Sequence, residues 1–160
     1  EGNERYVANK TTGPNRSPDR RAEVAKEQKP WAAIWGCIDS RVPPEILFDC
    51  GLGDLFVIRT AGQVIDNAAL GSAEFAIEEH VKVIVVLGHE SCGAVRKTIE
   101  TVEKGGHGEG KIDTLVKGIK PAYDKVKNQS GDKVDNVVRA NVALQVAQLK
   151  SSSEIIAKAV

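Results

Sequence analysis

Two short stretches of this chain carry residue types that can do chemistry together. CIDSR, residues 37 to 41, sets a thiol, a carboxylate and a guanidinium at alternate positions (Cys37, Asp39, Arg41) directly after the apolar run WAAIWG. GHESCG, residues 88 to 93, sets His89 and Cys92 directly after the apolar run VKVIVVLG. Two thiolates and an imidazole suit zinc, which prefers tetrahedral nitrogen and sulfur ligands. Three protein ligands leave a fourth position, the feature that separates a catalytic site from a closed structural one. Cys92 also opens a predicted helix, whose free N–H groups and dipole favour a thiolate. Asp39 falls at that fourth position or beside it, as a ligand or as the acceptor of a hydrogen bond from a metal-held water. Arg41 can hold the carboxylate by a bidentate pair, which draws it off the metal and lowers its pKa. Zinc brings the pKa of its water to about 7, so a hydroxide nucleophile is available near neutral pH.

Each part has a bland reading by itself. A cysteine at a strand end is usually a small buried hydrophobe, and an Asp–Arg pair can be a turn clamp. The two motifs at matched strand ends favour one metal site. Cys50, between Asp49 and Gly51, has no partner pattern and reads as a core or turn residue. His80 ends a helix, where the dipole accounts for it, and His107 in GGHGEG reads as a solvated loop residue.

The motifs converge only if the strands before them are neighbours in a parallel sheet, at whose carboxyl ends functional groups gather. Ser17 and Pro18 read as N-cap and first turn of a helix that Lys29-Pro30 stops. Residues 31–36 and 54–60 read as strands, with a short proline-opened helix over PPEILF between them. Residues 67–80 read as helix, 81–88 as the clearest buried strand, and 92–104 as a helix ended by Gly105-Gly106. Two further helices are expected near 111–128 and 133–158. Strands alternating with helices predict an α/β fold, a central mostly parallel β-sheet flanked by helices, in a single domain over residues 1–160.

Composition narrows the function classes. At 160 residues, 41% hydrophobic and 28% charged, the chain can bury one core. Lysine plus arginine equals aspartate plus glutamate, 22 against 22, so no global field argues for nucleic acid or a membrane surface. No apolar run approaches membrane-spanning length. Three cysteines are too few and too odd in number for a disulfide scaffold, which favours a reducing, cytoplasmic setting. The first residue is Glu1 rather than Met, so a removed targeting segment, with a periplasmic or organellar location, stays open.

CxDSR with the later HxxCG, joined by DLFVIRTAGQV and GSAEFAI, resembles the β-class carbonic anhydrases. The resemblance runs from EGNERYV at the start to the end of the 91–103 helix, and more loosely beyond. It implies Cys37, His89 and Cys92 as ligands of Zn2+ and Asp39–Arg41 as the catalytic dyad. It implies reversible hydration of CO2 to bicarbonate by zinc-bound hydroxide, in a homodimer or dimer of dimers whose N-terminal helix lies on the partner. It assigns substrate contacts to Gln28 and to Phe56 of the second strand. The Gln28 amide and a backbone N–H near Gly93 are expected to polarise a substrate oxygen.

The plant-like subgroup has a tyrosine where this chain has Phe75. The bicarbonate-inhibited subgroup has a tryptophan where this chain has Ile34, with Trp35 one place later, although Arg59 matches that subgroup's arginine. The resemblance therefore implies a plant-like site without bicarbonate regulation. Family members continue past the last helix into another strand, whereas this sequence stops at AKAV, which points to a trimmed chain or a missing strand. Hydrolysis of carbonyl sulfide or carbon disulfide on the same zinc scaffold is the neighbouring chemistry. A silent zinc-stabilised interaction module is the other alternative, against which Asp39, Arg41 and Gln28 speak. A thiol redox role lacks a CxxC pair.

Overall fold

In the computed structural model, which describes residues 1–159, the three apolar runs become three parallel strands. β1, Ala32–Cys37, is buried at all six positions. A strand can be apolar on both faces only where both are covered, and β1 is the central one. β2, Leu55–Thr60, and β3, Ile84–Leu87, flank it in the order β2-β1-β3. Cys37 is in register with Thr60, and Gly36 with Leu87. The chain therefore leaves β1 and β3 side by side, at the same end of the sheet.

Helices cover both faces. They are α1 (Gly2–Val7), α2 (Pro18–Val24), α3 (Pro44–Leu47), α4 (Asn67–Glu78), α5 (Gly93–Glu103), α6 (Ile112–Val126), α7 (Lys133–Ser152) and α8 (Glu154–Ala159), with a 3-10 turn over Ala61–Gln63. One core gathers Val95 and Ile99 of α5, Ile119 and Tyr123 of α6 and Val137 of α7 around Cys37 and Cys92. The other packs Trp35 against Ala69 and Ala73 of α4, Leu149 of α7 and Ile156 of α8. No described helix is long and apolar enough to cross a membrane.

The elements differ from the sequence reading at their ends. Ser17 does cap α2, accepting from the Arg20 N–H at 3.1 Å, but the helix stops at Val24. It buries no residue, and AKEQ beyond it has no apolar face to hold another turn. β3 begins at Ile84 rather than 81 and is only half-buried, as an edge strand is. The stretch read as one helix over 133–158 breaks at Ser153, whose backbone is extended. Ser153 Oγ donates to Glu74 at 2.6 Å and accepts from the Ile156 N–H at 3.1 Å, so the chain restarts as α8 against α4.

Asp49 fastens the N-terminal segment to this body. It is almost fully buried, and its carboxylate accepts from Arg5 Nε at 2.6 Å, from the N–H groups of Thr12 and Gly13 and from the Thr12 hydroxyl. The bonds from Thr12 and Arg5 hold its pKa well below the usual carboxylate range. A carboxyl depressed in the folded state contributes stability above its ordinary pKa of about 3.9 and loses it as pH falls further. Asp49→Asn is expected to lower Tm by roughly 5 °C at neutral pH. In thermal melts the gap to the wild type should narrow as pH falls below about 4, where the unfolded chain's carboxylate takes up its proton while the folded one stays ionised. A gap constant through that range would remove Asp49 as the fastening.

Candidate metal centre

Strand register brings the three expected ligands together. Cys37 is the last residue of β1, Cys92 caps α5, and His89 lies in the short link between β3 and α5. Two backbone features make that link possible. A Cβ on Gly88 would lie 2.6 Å from Val142 Cγ2, so only glycine passes this close under α7. Ser91 takes a left-handed φ of 55°, which turns Cys92 back toward β1. The Sγ atoms of Cys37 and Cys92 are 4.0 Å apart, and with a His89 ring nitrogen they lie within 4.8 Å of one another.

The donor set fits a metal of zinc type. Two zinc–sulfur bonds of about 2.3 Å at a tetrahedral angle place the sulfurs about 3.8 Å apart, close to the separation here. His89 Nδ1 is 2.9 Å from the carbonyl of Glu90, so Nδ1–H donates there and Nε2 keeps its lone pair. Nε2 is buried with no hydrogen-bond partner, and a cation is what would use it. The two thiols share one charge. Cys92 and the Gly62 N–H lower the Cys37 pKa, against the effect of burial. Cys92 is pushed up by Cys37 and by burial, although the N–H groups of Val95 and Ala94 at the start of α5 favour its thiolate. A dication between the sulfurs would let both ionise.

Asp39 stands beside the cluster, with Oδ2 4.0 Å from His89 Nε2. Arg41 grips it from the other side, Nε to Oδ1 at 2.9 Å and Nη2 to Oδ2 at 2.8 Å, and the Arg41 N–H adds a third bond. This bidentate pair holds the carboxyl well below the usual range. Arg59 holds the backbone of the same turn. Its Nε donates to the carbonyl of Cys37 at 2.7 Å and its Nη2 to that of Asp39 at 2.6 Å. The sequence reading matched Arg59 only to a subgroup pattern. Its placement follows from its pairing with Gly36, a register that sequence does not fix.

Cys37 and Asp39 open onto a cavity of about 270 Å³ lined by Ile38, Ala61, Gly93, Ala94, Leu115 and Val116, among others. Its lining is almost wholly apolar, and Lys97 is its one cationic side chain. Gly93, the first residue of α5, is among the lining residues. Gln28 and Phe56 do not line this cavity. Gln28 is exposed in the link between α2 and β1. Phe56 packs edge-on against Phe75 of α4, ring centroids 6.3 Å apart, in a groove along β2. Cys50 is buried and donates to the Phe48 carbonyl, while His80 and His107 are exposed.

Sequence and structure comparisons find carbonic anhydrases. The family model for carbonic anhydrase matches residues 32–160. The carbonic anhydrase of Mycolicibacterium smegmatis is 44% identical over 159 residues, covering 99% of this chain and 77% of that protein. The structure of a Coccomyxa β-carbonic anhydrase in complex with acetazolamide matches with a TM-score of 0.72 and 27% identity, over 98% of this chain and 69% of that one. A tetrameric β-carbonic anhydrase from Sordaria macrospora shares the fold, with a TM-score of 0.75 and 24% identity over 98% of this chain and 81% of that one.

Proposed function

The chain belongs to the β-class carbonic anhydrases, and from that premise we propose that it hydrates CO2 reversibly to bicarbonate and a proton, using zinc held by Cys37, His89 and Cys92. The observation that carries the reading is the opening of this ligand cluster, with Asp39 beside it, onto a small apolar cavity. When bound, the zinc supplies Lewis acidity that brings the pKa of water to about 7. The protein's own groups do the rest. CO2 is small and apolar, and Ile38, Ala61, Ala94, Leu115 and Val116 offer it an apolar surface next to Cys37. Asp39, kept anionic by Arg41, accepts a hydrogen bond from the attacking oxygen and so orients its lone pair toward the carbon. Arg59 keeps Cys37 and Asp39 in fixed relation by holding both carbonyls. The exposed ammonium of Lys97 at the cavity favours the anionic product.

The same reading makes the protein a homodimer or dimer of dimers. It rests on Gln28 and Phe56, substrate contacts by resemblance that lie outside the chain's own cavity. The groove of about 640 Å³ along the free edge of β2, with Phe75 half exposed, offers a second copy a place to seat. The tetrameric Sordaria relative supports assembly. A cytoplasmic location fits thiol ligands that must stay reduced.

Elemental analysis with stopped-flow CO2 hydration tests the activity. The expected result is one zinc per chain and a rate well above buffer. Protein with full zinc and no rate above buffer would end this reading and favour a sulfur substrate or a silent module.

A further inference from the structure

Two buried amides on α7 have no part in the chemistry described so far. Asn141 and Gln145 are one helical turn apart and both wholly inaccessible to solvent. Buried amides are costly unless paired, so their partners indicate what they are for. Gln145 Nε2 donates to Asn141 Oδ1 at 3.0 Å, which fixes the orientation of both groups. Asn141 Nδ2 then donates to the carbonyl of Gly62 at 2.8 Å, and Gln145 Oε1 accepts from the Ile65 N–H at 3.2 Å. The pair thus holds the turn after β2 at two points.

That turn has one exit toward the metal centre. Gly62 sits in the left-handed region (φ 62°, ψ 26°), and a Cβ there would lie 2.7 Å from Ile119 Cδ1 and 3.1 Å from Ala94 Cβ. The conformation directs the Gly62 N–H onto Cys37 Sγ at 3.3 Å. A donor to a ligating sulfur takes up part of the thiolate's charge and fixes the direction of its lone pairs, so it bears on both metal affinity and the metal's acidity.

We propose that Asn141 and Gln145 are positioning residues for the metal centre, acting through Gly62, whose N–H they hold against the Cys37 sulfur. The inference rests on the metal reading of the Cys37, His89 and Cys92 cluster. The amides lie in another helix, 79 and 80 residues from the backbone groups they hold.

The full-length protein loaded with cadmium-113 in place of zinc tests both statements separately. Proton–cadmium correlations from the cysteine and histidine side chains report that the cluster holds a metal; without them the metal reading itself fails. A further correlation at the Gly62 amide, transmitted through the N–H···S bond, is expected in the wild type. Its absence from protein that shows the ligand correlations would overturn the inference. Asn141→Leu should abolish the Gly62 correlation and weaken zinc binding about tenfold in chelator competition. Gln145→Met, a milder change that leaves Asn141 in place, should act in the same direction and serves where Asn141→Leu does not fold. A merely structural role would lower Tm and nothing else, so folded variants that keep the correlation and bind zinc within about twofold of the wild type would also overturn it.

Discussion

Cys92→Ser protein is expected to leave purification without stoichiometric zinc and to hydrate CO2 no faster than buffer. The size of this effect follows from the economy of the site. Only three groups among the described residues, Cys37, His89 and Cys92, converge as donors, so removing one leaves a two-ligand remnant. Zinc held by protein ligands contributes on the order of 10 kcal/mol, so losing one of three costs about 3 kcal/mol, more than a hundredfold in affinity. Serine is the fair test because it keeps the size and burial of Cys92 while replacing a thiolate by a hydroxyl that stays protonated near neutral pH. The helix N-terminus beneath it remains, since the N–H groups of Ala94 and Val95 belong to the backbone. Cys50→Ser in parallel should keep its zinc, because that thiol is buried away from the cluster beside the Phe48 carbonyl. Elemental analysis and stopped-flow hydration read both variants. Zinc retained at one per chain in Cys92→Ser would place the metal elsewhere.

The convergence of Cys37, His89 and Cys92 was legible in the sequence because chemistry and topology agree there. A cysteine straight after one buried run and a histidine and cysteine straight after another can meet only if the runs are neighbouring parallel strands, and β1 and β3 are. What sequence could not supply was the support. Arg59 reaches the carbonyls of Cys37 and Asp39 because β2 lies beside β1 in one particular register. A slip of that pairing would carry it away, and β2 is apolar around Arg59 in any register. Asn141 and Gln145 lie on a helix whose apolar residues already account for its packing, so two buried amides look like ordinary polar helix positions until their partners are seen. Asp49 was passed over because its partners lie in residues 5, 12 and 13, far away in sequence, and half of its donors are backbone N–H groups that no side-chain pattern marks. Gln28 and Phe56 came from resemblance alone, and a single chain leaves both outside the cavity.

Asp39 and Arg41 are separable by pH, and the separation tests what the pair is for. Asp39→Asn should keep zinc, since none of the three ligands is touched, yet hydrate CO2 about a hundredfold to a thousandfold more slowly. An amide can still accept one bond from Arg41, but its NH2 group meets the guanidinium and no anionic acceptor remains for the attacking oxygen. That loss should be uniform across the profile. Arg41→Ala acts differently. The carboxylate it releases is already 4.0 Å from His89 Nε2 and becomes free to swing into the open metal position as an anionic ligand. Its pKa, lowered in the wild type first by the Arg41 side-chain bonds, rises back toward about 3.9, so it stays ionised at every pH used for assay. Protonation of Asp39 is therefore not what limits the variant; competition is. Hydroxide displaces a competing carboxylate more readily as its concentration rises, so Arg41→Ala should be most impaired at and below neutral pH and recover toward the wild type in base. Stopped-flow rates between about pH 6 and 9 distinguish the two variants. A profile for Arg41→Ala parallel to the wild type would reduce the guanidinium to a turn clamp, and an Asp39→Asn protein of undiminished rate would leave the carboxylate without a role.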